Sequence, residues 1–154
     1  MRNPVPILTV ALLLAGCGAE PDPATNNAHS AAVPANPVIR LAPVPDRPAA
    51  GYFTIRIDGN RGALLSVTSP RARRIEMHET MLHGEMTGMR TLERIPVRDG
   101  EILSFTPGGR HLMVHDLDRS APAGSRIELV LHFERGADQT LSAEIVPTGG
   151  DVGD

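Results

Sequence analysis

Residues 126–134 read RIELVLHFE, with Ile127, Leu129, Leu131 and Phe133 alternating against Glu128, Val130 and His132. Alternation with a period of two over this length marks a strand that turns one face to a core. The same pattern recurs outward from it. Leu141, Ala143 and Ile145 alternate in residues 140–147, TLSAEIVP, and Phe53, Ile55 and Ile57 alternate in residues 51–58, GYFTIRID. The turn GNRG (59–62) leads to ALLSVTSP (63–70) and RRIEMHETM (73–81), broken at Ser69 and Pro70, and EILSFTPGG (101–109) runs into RHLMVHDL (110–117). No window carries a helical period with caps. Many short strands between turn signals predict a β-sandwich or barrel.

Two of these strands place unusual residues off the core face. In 109–117, GRHLMVHDL, alternation puts Leu112 and Val114 on one face and His111, Met113 and His115 on the other. In RIEMHET, Ile75 and Met77 point inward and His78 outward. A single Met is ordinarily core filler, and a single His is ordinarily hydrogen-bonded or exposed. Met77 fits that description. An outward Met beside an outward His does not, and reads better as a ligand pair. With Met89 the set becomes four: ten residues separate His78 from Met89, twenty-one separate Met89 from His111, and one separates His111 from Met113. Two imidazoles and two thioethers suit Cu(I), because soft thioether sulfur selects it and imidazole accepts it. Zinc and iron prefer thiolate or carboxylate in place of the two Met.

The spacing H-x10-M-x21-H-x-M resembles the signature of the PCuAC family of periplasmic copper chaperones. The similarity extends to HET after a strand, a Met-rich loop ending in MR, the PGG-x-HLM segment and the LVLHFE strand, and covers roughly Val38 to Val146. It implies a cupredoxin-like Greek-key β-sandwich, all-β, with Cu(I) held by His78, Met89, His111 and Met113. It also implies delivery of copper to the binuclear centre of a haem-copper respiratory oxidase, directly or through a copper-thiol assembly protein. Three departures stand out. Thr87 occupies a position where the family loop often has Met, with Met86 one residue earlier; His115 replaces a frequent second Met; and the C-terminus, PTGGDVGD, lacks the His and Met of many family tails.

The N-terminal segment reads as an address. Arg2 precedes PILTVALLLAG, an apolar run too short for an ordinary transmembrane helix, and Leu14-Ala15-Gly16-Cys17 looks like a bacterial lipobox. Residues 1–16 are therefore expected to be a lipoprotein signal peptide, with Cys17 lipidated and the protein anchored to a membrane in the periplasm. The Pro-, Ala- and Asn-rich stretch 17–36 reads as a flexible tether containing an inert His29, residues 37–148 as one domain, and 149–154 as a disordered tail. Cys17 is the only Cys, so no internal disulfide forms and no thiolate reaches the metal site. A formal net charge of -3 gives no nucleic-acid footprint, and the absence of Trp disfavours a stacking platform.

An enzyme is the competing class. Blue copper needs a Cys thiolate beside two His, and the single Cys is assigned to the anchor. Asp116 and Asp118 after His115 read as a solvated turn rather than as acid/base groups. A copper-sequestering tolerance protein and a structural lipoprotein with incidental His and Met remain open on the sequence. His132 is expected at the surface. Met81, His83 and Met86, in a stretch read as a loop, are candidates to assist at the metal, as is His115. Cu(II) prefers nitrogen and oxygen donors; with only His78 and His111 placed for it, and His83 or His115 as recruits, its binding is expected to be weak.

Overall fold

The computed structural model describes residues 36–44, 46–83, 86–118 and 120–149. The signal peptide, Cys17, His29, nearly all of the tether and the tail beyond 149 lie outside the described residues. The strands are β1 (Val38–Arg40), β2 (Ala49–Arg56), β3 (Ala63–Thr68), β4 (Ala72–His83), β5 (Met86–Leu92), β6 (Ile95–Pro96), β7 (Ile102–Phe105), β8 (Arg110–Leu117), β9 (Arg126–Phe133) and β10 (Gln139–Val146). They pair in the order β5-β4-β8-β2-β1-β10-β9-β3-β6, with β7 added against β2. Only β1 and β10 run parallel among these pairs; the rest are antiparallel.

Strands β3 and β4 are consecutive in the chain but lie near opposite ends of this order, and they touch. The sheet therefore folds over on itself into a cupredoxin-like sandwich. Its core is one apolar cluster drawing on Ile39, Phe53, Leu64, Leu112, Leu131 and Ile145, with Phe53 and Phe105 stacked at 4.5 Å between ring centroids. The alternating rows predicted from sequence supply it: Ile127, Leu129, Leu131 and Phe133 of β9 are all buried, and Glu128 between them is exposed. His132, on the other row, is half-buried; its Nδ1 lies 2.9 Å from Asp138 and its Nε2 2.8 Å from the Thr68 hydroxyl.

One expectation is corrected. The stretch around Met81, His83 and Met86 is not a loop. Strand β4 continues to His83, and β5 begins at Met86 and pairs with it residue by residue, from His83 opposite Met86 to Met77 opposite Leu92. Strand β8 pairs with β4 only as far as Glu79 opposite Arg110, so the end of the β4–β5 hairpin overshoots the sandwich. Gly and polar residues there suggested a loop, but backbone pairing along a two-stranded arm needs no core behind it.

Strand β2 fixes the seat of β8. Gly51 lies opposite both Leu112 and Ile39, and a Cβ there would come within 3.0 Å of the Ile39 Cδ1 and of the Leu112 Cβ. Gly51→Ala should destabilise the protein by about 1–3 kcal/mol, the usual cost of overpacking a filled core. A urea midpoint equal to that of the parent protein would show that β2 and β8 can separate to admit the methyl.

Candidate metal centre

Strand β4 lies between β5 and β8, and its register brings the candidate residues onto one face. His78 sits directly opposite His111 on β8, Glu76 opposite Met113 and Arg74 opposite His115. On β5, Thr91 is opposite His78 and Met89 opposite Thr80. Met89 and Met113 are thus both diagonal neighbours of His78, one on each flanking strand, a separation long side chains can span. The other face of β4 and β8 belongs to the core, where Met77, Leu112 and Val114 are buried. Met81 alternates with Met77 and Glu79 and so falls on the face opposite His78, not beside the four. His83 and Met86 pair at the far end of the hairpin.

The two imidazoles are sunken although they are off the core face. His111 is only 8% exposed. Its ring lies 5.9 Å from that of His78 between centroids, tilted by 49°. With metal–imidazole bonds of about 2 Å, two such rings can share one ion. The Nδ1–H of His111 donates to the Gly109 carbonyl at 3.1 Å, which leaves Nε2 with its lone pair free. A ring nitrogen tied to a backbone carbonyl is the usual outer-sphere support of a metal-binding His. His78 has a buried Nδ1 without a hydrogen-bond partner, while its Nε2 lies 3.4 Å from the Thr91 hydroxyl and 3.5 Å from Glu76 Oε2. An unpartnered buried nitrogen costs about 1–3 kcal/mol, so it stands out in a folded protein. Met113 is half-buried, and Met89 is 63% exposed on the outer strand. Three donors of the set are therefore seated in the sheet, and the fourth stands open to solvent.

Two further groups belong to this face. Glu76 Oε2 lies 2.9 Å from His115 Nε2, and Glu76 Oε1 lies 3.1 Å from an Arg74 guanidinium nitrogen. The hydrogen bond from His115, aided by the charge of Arg74, holds the Glu76 carboxyl below the ordinary carboxylate range against a smaller opposing effect of burial. Sequence reasoning passed over Glu76, although the alternation in RIEMHET that places His78 outward places Glu76 outward too. Among the described residues no three His, Cys, Asp or Glu side chains already form a metal cage, so a centre built on His78 and His111 takes its remaining donors from the thioethers. Asp116 and Asp118 stand at the opposite end of β8 from His111, paired with Arg73 and Arg71.

Fold and face together define a cupredoxin-like sandwich with two His and two Met side chains on one face of β4, β5 and β8. The chain belongs to the family described as "Putative lipoprotein LpqE-like", whose profile matches residues 25–145. It is similar to the protein named "Putative lipoprotein Lxx21020" of Leifsonia xyli subsp. xyli (strain CTCB07), with 27% identity over 105 residues, covering 66% of this chain and 62% of that protein. The chain thus spans less than two thirds of that relative's length. Among solved structures it is similar to the copper-bound PCuAC domain from PmoF2, with a TM-score of 0.59 and 21% identity over 73% of this chain and 89% of that one. It is also similar to the solution structure of Cu(I)-bound DR1885 from Deinococcus radiodurans, with a TM-score of 0.53 and 25% identity over 80% of this chain and 86% of that one.

The Glu76 carboxyl, by carbon-detected titration of the metal-free protein, should titrate below its ordinary value, and His115→Ala should move it upward. Because folding depresses this group, its contribution to stability is present above the unfolded-state value and is lost as pH falls through the folded one. A Glu76 titration unmoved by His115→Ala would remove that hydrogen bond as the cause.

Proposed function

We propose that this protein is a Cu(I) carrier, not an enzyme, and that it binds one Cu(I) through His78, Met89, His111 and Met113. The observation that carries this reading is the direct pairing of His78 with His111 across β4 and β8, with Met113 and Met89 diagonal to His78 on the same face. The likeness to structures described as copper-bound and Cu(I)-bound supports it. The chemistry fits a carrier. Cu(I) imposes little geometric demand, thioethers need no deprotonation, and imidazoles bind it in their neutral form. The exposed Met89 makes a ligand that an acceptor can displace first.

A neutral site without thiolate holds Cu(I) less tightly than a dithiolate, and so can give it to one. We read the acceptor as a copper-thiol assembly protein or the copper-accepting subunit of a haem-copper respiratory oxidase. Membership of a lipoprotein family agrees with anchoring through a lipid on Cys17, at the periplasmic side of a membrane.

Titration of the purified protein with Cu(I) against a competing chelator should give one site. Met113→Leu conserves volume off the core face and should cost less than about 1.5 kcal/mol of stability. Both it and Met89→Leu should weaken Cu(I) by about tenfold or more, equivalent to about 1.4 kcal/mol. Unchanged affinity in both variants would remove the thioethers from the site. Mass spectrometry of the membrane fraction should find the mature chain beginning at a lipid-modified Cys17; a mature chain cleaved elsewhere and recovered without lipid would refute the anchor.

A further inference from the structure

We infer that the same sheet face holds a second, harder donor set, made of Glu76, His78 and His115, that takes Cu(II). Nothing in the Cu(I) reading uses Glu76 or His115. Glu76 Oε2 lies 2.9 Å from His115 Nε2 and 3.5 Å from His78 Nε2. Donors bound at about 2.0–2.2 Å to one metal lie about 2.9–3.5 Å from each other in square or tetrahedral arrangements. The carboxylate oxygen therefore already stands at inter-ligand distance from two imidazole nitrogens.

The carboxylate is also oriented. Its other oxygen is held by Arg74 at 3.1 Å, which turns Oε2 toward the imidazoles. All three side chains are half-buried or better, with side-chain exposures of 29% for Glu76, 16% for His78 and 23% for His115, so the set is partly screened from water without being closed. The three donors do not yet form a cage. In the metal-free protein the His115 ring donates its Nε2 proton to Glu76; binding requires that proton to sit on Nδ1 and the ring to turn slightly.

Two nitrogens and a carboxylate oxygen suit Cu(II), which prefers a tetragonal nitrogen and oxygen array and has little use for thioether. The two sets interleave along the face and differ in donor type. Met89 lies beyond His78 on one side, opposite Thr80, and Glu76 and His115 lie on the other, where Met113 faces Glu76 across the strands. His78 is shared, so this inference rests in part on the copper reading above. The expectation of weak Cu(II) binding counted only His78 and His111 as placed donors, because it left Glu76 out.

The test is a Cu(II) titration of the purified protein followed by spin resonance, run beside the Cu(I) titration on the same variants. The parent should bind one Cu(II) with nitrogen couplings. Glu76→Gln and His115→Gln should each weaken Cu(II) about tenfold or more, at least what loss of an outer-sphere partner costs, while Cu(I) affinity stays within about threefold. A double Met89→Leu, Met113→Leu variant should lose Cu(I) and keep Cu(II). Circular dichroism matching the parent establishes that each variant is folded. Cu(II) affinity unchanged in both Glu76→Gln and His115→Gln overturns the inference, and so does an equal loss of Cu(I) and Cu(II), which reduces Glu76 to a support for His78. Loss of Cu(I) binding from the parent with Cu(II) binding intact would sink the carrier reading and leave the Glu76 set standing.

Discussion

Strand β4 meets β8 with His78 opposite His111, and the rest of the site depends on that register. Side chains along a strand alternate strictly, so a slip of one residue would carry His78 to the core face and bring Met77 out. The register is held from the other side of the sheet. Met77, Leu112 and Val114 are buried in the main core cluster, and Gly51 of β2 admits Leu112 because it has no Cβ to oppose it. Apolar burial on one face thus specifies which polar groups meet on the other. The pairing of β4 with β5 extends the same logic outward and sets Met89 on the row of His78.

The face that results is polar, sunken and incompletely satisfied. The His111 Nδ1 has its backbone acceptor, but His78 Nδ1 is buried without one. A protein built only for stability would fill such a position with a hydrogen-bond partner. That unpartnered imidazole nitrogen, beside two thioethers, is the feature the proposed Cu(I) site would use. The main core cluster reaches the other face of β4 and β8 through Met77, Leu112 and Val114.

Charge is distributed unevenly along this face. Glu76 is ion-paired with Arg74 and hydrogen-bonded to His115 at one end, whereas the other end presents Met89 on an exposed outer strand. On the opposite face of the hairpin, Glu79 lies between Arg90 at 2.6 Å and Arg110 at 3.7 Å, where the core has run out.

How much of this was legible in the sequence follows from the range of the forces involved. Alternation is local: it marked the strands of the core, assigned Leu112 and Met77 inward, and put His78, His111 and Met113 off the core face. The resemblance of the His/Met spacing to the PCuAC signature then added Met89. The hairpin at 81–88 was misread, because Gly and polar residues in a free-standing arm look like those in a loop, and what distinguishes them is cross-strand pairing. Glu76 was visible on the row of His78 but gained meaning only when β8 brought His115 against it. By itself the sequence determined the strand pattern, the inward and outward rows and the chemical types of the donors, since these depend on residue identity and a period of two. Only the tertiary structure decided which strands are neighbours and in what register, because that choice is made by burial of side chains far apart in the chain. It is this pairing that sets His78 against His111 and leaves Met81 on the wrong side of the sheet.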